Sequence, residues 1–106
     1  MANTFKGCQA VNVTSATTVY TSTGFDSIVL ELDISNTTSS GVTASVEVLD
    51  SSASTDAYVV KDAPVPTGSS LQVIAGQKVI LEDGDSIRVT ASGACDVVCS
   101  ILENVN

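Results

Sequence analysis

Glu82-Asp83-Gly84-Asp85 packs three carboxylates around one glycine, the densest set of hard ligands in the chain. Calcium and similar cations favour clustered carboxylate oxygens. The twelve-residue calcium-loop spacing is absent, however, and acids beside glycine are ordinary turn formers. The segment reads as a turn, and no metal is expected. The soft nucleophiles are Cys8, Cys95 and Cys99. An odd count closes no disulfide framework. Cys95 and Cys99 lie four apart in an expected strand, which at ~3.4 Å per residue sets their Cα atoms ~13–14 Å apart. That exceeds the ~7 Å limit for a disulfide. The cysteines therefore read as reduced thiols acting as small hydrophobes, with a bond from Cys8 to another chain as the alternative.

Catalytic chemistry finds little to work with. Ser and Thr are abundant, but the chain has no His, so the common nucleophile–base pairing cannot form. Ser–Lys chemistry needs a desolvated lysine. Lys61 sits beside Asp62 and Lys78 opens an expected strand, so both read as solvated. Gly68-Ser69-Ser70 and Gly76-Gln77-Lys78 lack the strand–loop–helix setting of a phosphate-cradling loop. No catalytic residue and no cofactor is expected, and the chain does not read as an enzyme. Tyr20, Phe25 and Tyr58 could line a carbohydrate platform, but core packing is the commoner fate of aromatic residues.

Charge narrows the partners. Four Lys and Arg stand against 12 Asp and Glu, for a formal net charge of −8. Such a surface is repelled by nucleic-acid phosphates and by anionic membranes. Mean hydropathy is nonetheless +0.33, which suggests apolar surface set aside for an interface. No apolar run approaches the ~18–20 residues of a membrane-spanning helix, and the first residues lack the apolar core of a signal peptide. Synthesis in a cytoplasm is expected.

The elements that must carry these residues are strands. With 106 residues one domain is expected, and Val, Ile, Thr and Ser dominate it, which suits a pleated, half-buried surface. In Asp26–Ser35, Ile28, Leu30, Leu32 and Ile34 alternate with Val29, Glu31 and Asp33, which predicts one buried and one wet face. Val42, Ala44, Val46 and Val48 repeat the pattern after the polar 36–41 loop, so the two runs read as a β-hairpin. Further strands are expected at 10–13, 17–21, from Tyr58, at 71–74, at 78–82 and at 87–91, with a turn at Ala75-Gly76-Gln77 and an Asp-Gly hairpin signal at Asp83-Gly84. In the last strand, Cys95–Glu103, Cys95, Val97, Cys99 and Ile101 point one way. Val98 and Leu102 point the other, so this strand is central or lies at an interface. The expected fold is an all-β antiparallel sandwich, jelly-roll or Ig-like, of about eight short strands. Residues 1–9 read as an N-terminal arm and residues 10–106 as the sandwich.

From Val19 onward the order of segments resembles small β-sandwich virion proteins of tailed bacteriophages. The resemblance is carried by Val19-Tyr20-Thr21, the alternating strand ending in Asn36-Thr37-Thr38, Tyr58-Val59-Val60-Lys61-Asp62-Ala63-Pro64-Val65-Pro66, and Gly68-Ser69-Ser70-Leu71. It continues through Leu81-Glu82-Asp83-Gly84-Asp85-Ser86-Ile87-Arg88-Val89-Thr90-Ala91 and Val97-Val98-Cys99-Ser100-Ile101-Leu102-Glu103. It implies a structural virion component, with a capsid decoration or cement protein as the first reading. A tail, neck or fibre-associated module is the second, and a carbohydrate-binding module the third. The implied partners are further copies of the chain, in a trimer or ring, and other virion proteins such as the major capsid protein. The expected assembly contacts are Phe5, Lys6 and Cys8 in the arm, and Val98 and Leu102 on the wetter face of the last strand.

Overall fold

The computed structural model describes residues 3–105, which form eight strands and no helix. The strands are β1 (Thr4–Val13), β2 (Thr17–Thr21), β3 (Ser27–Asn36), β4 (Val42–Asp50), β5 (Thr55–Val65), β6 (Ser70–Leu81), β7 (Ser86–Ala91) and β8 (Cys95–Glu103). Two four-stranded antiparallel sheets face each other, one ordered β1-β8-β3-β6 and the other β2-β7-β4-β5. Of the two sandwich types expected, this strand order is that of a jelly roll. The inner faces meet in one core. Val29, Leu32, Ile34, Val97, Cys99 and Ile101 pack from the first sheet against Val46, Ile87 and Val89 from the second.

The jelly-roll path changes three local expectations. The runs expected to pair as a hairpin, β3 and β4, lie in opposite sheets. Each buries an apolar face, and the two faces meet across the core instead of the strands pairing at their edges. Buried Asn36 knits this corner. Its amide donates to the carbonyls of Ser40 (2.8 Å) and Val65 (2.9 Å), and its Oδ1 accepts from the backbone and hydroxyl of Thr38. Likewise Asp83-Gly84 joins β6 to β7 across the sandwich and closes no hairpin. Only glycine suits position 84, where φ is +93° and a Cβ would lie 2.6 Å from the Ser51 hydroxyl. Among the described strands, β4–β5 is the one sequential pair that hydrogen-bonds.

The expected turn at Ala75-Gly76-Gln77 is a bulge inside one long strand. β6 pairs with β3 on both sides of it, from Ser70 to Leu81. The Gln77 side chain supplies the ladder's missing partners, accepting from the Ala75 N–H and donating to the Val73 carbonyl.

The N-terminal segment also differs. Residues 4–9, expected as an arm outside the sandwich, form the first part of β1 and pair in register with β8 from Thr4↔Glu103 to Gln9↔Val98. The polar sequence conceals this because an edge strand beside a central one gains its backbone bonds without burying much side chain. Met1 and Ala2 lie outside the described residues.

Candidate assembly surface

The first sheet carries an apolar row on its outer face. Phe5 of β1 lies opposite Leu102 of β8, Leu102 opposite Ile28 of β3, and Ile28 opposite Ile80 of β6. One row of four large hydrophobic side chains therefore crosses the whole sheet. Its two ends are open to solvent, with Phe5 78% and Ile80 67% exposed. Directly opposed side chains on one face touch and act as a unit. A parallel row carries Gln9, Val98, Asp33 and Gln72, with Val98 54% exposed.

A bulge in β3 creates this face. The register shifts between Val29 and Glu31, so Val29, Leu32 and Ile34 point inward while Ile28 and Leu30 do not follow the same phase. An unbroken period of two had grouped Ile28 and Leu30 with the core. One extra residue on a bulged strand reverses the side-chain phase on one side of it. The partial burial of Ile28 and Leu30, against full burial of Val29, Leu32 and Ile34, follows from that shift.

Between the rows a groove of about 470 Å³ runs past Phe5, Gly7, Leu30, Glu31 and Ser100. Its floor is low because Gly7 and Ser100, paired across β1 and β8, have almost no side chain. A Cβ added at Gly7 would meet nothing within 4 Å. Glu31 and Asp33 flank the groove. The carboxyl of Glu31 is held above the usual range by a hydrogen bond with Asp33, whose charge adds to the shift. Asp33 Oδ1 is buried without a hydrogen-bond partner, so the second carboxylate of this pair is poorly served.

The expected contact residues divide between the two faces of the sheet. Phe5, Val98 and Leu102 share the outer face. Lys6 and Cys8 alternate with Phe5 and so take the other side of β1, opposite Ile101 and Cys99 respectively. Cys8 packs against the core, and all three cysteines are free thiols. Sequence reasoning missed Ile28, Leu30 and Ile80. The legible signal was the run Ile28-Val29-Leu30, which is apolar on both faces.

The other sheet's outer face is polar and satisfied within itself. Arg88 makes a two-pronged pair with Glu47, through Nε and Nη2 at 3.1–3.2 Å, and its Nη2 lies 3.6 Å from Asp56. Tyr58, opposite Glu47, carries the Lys61 ammonium 5.2 Å from its ring centre. Tyr20 is buried in the core, so Tyr20, Phe25 and Tyr58 do not make one aromatic platform.

The carboxylates of the 82–85 turn do converge, Glu82 and Asp85 with Asp50. Backbone bonds account for the buried member, since Asp85 accepts from the Ser51 and Glu82 N–H groups at 3.1 and 3.0 Å. Asp50 caps its own turn by accepting from Ser52 and Ala53, and the Ser52 hydroxyl bond leads in holding its carboxyl below the usual range.

This geometry defines an eight-stranded jelly roll with an apolar row across one outer face. No protein-family model and no curated protein matches the chain. Two solved structures resemble it. One is from Bacillus endospore appendages, described as a family of disulfide-linked pili. It has a TM-score of 0.57 and 14% identity, over 99% of this chain and 88% of the other. The other is a pentameric capsid protein from metagenomic phage sequences, with a TM-score of 0.48 and 21% identity over 92% of this chain. The chain spans 61% of the length of that capsid protein. The pilus likeness shows a shared fold at an identity too low to carry function.

Proposed function

We propose that this chain is a non-enzymatic structural subunit of a tailed-phage virion that assembles through the outer face of its β1-β8-β3-β6 sheet. The observation that carries this reading is the row Phe5–Leu102–Ile28–Ile80. Four aligned hydrophobic side chains on a face of a chain with charge −8 are costly to leave in water. The resemblance of the segment order to small virion proteins suggests the setting, and jelly rolls are a common architecture of viral shells.

Size favours a lattice over an isolated pair. Four strands at ~4.8 Å spacing and ~30 Å length present roughly 500–600 Å² per partner, below the ~800 Å² of a standard stable interface. A contact of that size holds when many copies repeat it. Head decoration, a regular array over the capsid, suits this better than a single tail or neck ring. The partners in this reading are other copies of the chain and the major capsid protein.

Quantitative mass spectrometry of purified virions tests it. Abundance near that of the major shell protein is expected. A small ring-like number would move the chain to the neck or tail, and absence would overturn the virion reading.

A further inference from the structure

We propose that Cys8 and Cys99 form a cross-strand disulfide site that clamps the edge strand β1 to β8.

The two cysteines are direct partners in the β1–β8 ladder. Directly opposed residues in an antiparallel pair have Cα atoms ~4.5–5.5 Å apart, inside the ~4.4–6.8 Å window of a disulfide. Both take the inner side of the sheet, Cys99 fully buried and Cys8 half-buried against the core. The third cysteine has no such partner, because Cys95 lies opposite Val13 on one side and Asn36 on the other. The register therefore selects one bond from the three pairs the cysteines allow.

The chemistry has a defined order. Burial pushes the Cys8 thiol up, Lys6 pulls it back and Glu103 adds a smaller push. Cys99 is pushed up to about 12, first by burial and then by Cys8 and Asp33. The half-exposed Cys8 thus meets the oxidant. With a disulfide oxidant RSSR, such as glutathione disulfide, the Cys8 thiolate attacks one sulfur, forms Cys8–S–S–R and expels RS⁻. Cys99 then loses its proton to water, attacks the Cys8 sulfur and expels the second RS⁻. Two thiols are oxidised and one RSSR is reduced to two RSH. The second step is slow because Cys99 is rarely a thiolate. The clamp is open in a reducing compartment and closes outside it.

The ring so closed includes most of the chain, which is where a cross-link constrains the unfolded state most. Its place is also an edge of the first sheet, where β1 pairs on one side alone.

The test is oxidation of the purified native chain with glutathione disulfide, followed by alkylation, intact mass and peptide mapping. The expected result is a monomer lighter by two hydrogens, one Cys8–Cys99 linked peptide and a free Cys95. Its melting temperature should lie on the order of 10 °C above that of the reduced chain. Cys8→Ser, at a half-buried position that tolerates the smaller change, should fold and abolish the difference between oxidised and reduced samples. Inter-chain dimers through Cys8, a stable Cys8 mixed disulfide with alkylatable Cys99, or a bond to Cys95 would each overturn the proposal.

Discussion

The two outer faces of the sandwich solve the same problem in opposite ways. Each is made of four antiparallel strands and each must meet water. On the β2-β7-β4-β5 sheet, Arg88 engages both oxygens of Glu47, Asp56 joins them, and Lys61 covers Tyr58. These charged groups are held by one another and by the tyrosine ring. On the β1-β8-β3-β6 sheet, Phe5, Leu102, Ile28 and Ile80 line up with no charged partner in the row. Beside it, the hydrogen bond from Asp33 and then the Asp33 charge hold the Glu31 carboxyl above its usual range. The contrast teaches that strand pattern sets the fold on both sides, while outward side chains decide which side stays free.

Four substitutions break or sharpen this contrast. Ile80→Glu places a charge at the open end of the apolar row and should weaken self-association by at least ~30-fold, the loss expected of an interface anchor. Circular dichroism should show an unchanged fold, because Ile80 is largely exposed. Val98→Glu should act the same way, and if it unfolds the monomer the face assignment is wrong. Arg88→Met on the other face should do the reverse. It leaves buried Glu47 without its two-pronged partner and should cost about 2 kcal/mol in denaturant unfolding, with sedimentation unchanged. Tyr20→Phe removes the bonds from its hydroxyl to Ser27 and Glu103 inside the shared core. It should cost about 1 kcal/mol and leave association alone.

The smallest effect is a pH slope. The folded chain holds the Glu31 proton more tightly than the unfolded one, so this pair's penalty is present at neutral pH. It is relieved as pH falls through the raised folded value toward the ordinary glutamate range. Melting temperature should therefore gain from this pair on mild acidification, and Glu31→Gln should flatten that gain. An unchanged slope in the variant would remove Glu31 as its source.

Much of the fold was legible and the candidate surface only partly so. The alternation in β7 and β8 was read correctly, since Ile87, Val89, Val97, Cys99 and Ile101 are all buried. Strand pairing was not legible. Sequence neighbours such as β3 and β4 look like a hairpin locally, yet they lie in different sheets, joined through a corner knit by buried Asn36. The outward placement of Val98 was read from its alternation with Val97 and Cys99. Ile28 and Leu30 read as core in the sequence because a bulge changes the phase without changing composition. Residues 4–9 of β1 read as an arm, and only 10–13 as strand, because the stability of the first part comes from backbone pairing with β8, which leaves no trace in hydrophobic pattern.

Hydroxyl-radical footprinting of the assembled and diluted forms compares the two faces in one experiment. The account predicts that Phe5, Ile80 and Val98 lose labelling on assembly while Tyr58 keeps it. Protection of Tyr58 with Phe5 and Ile80 still labelled, or a chain that stays monomeric at every concentration, would contradict it.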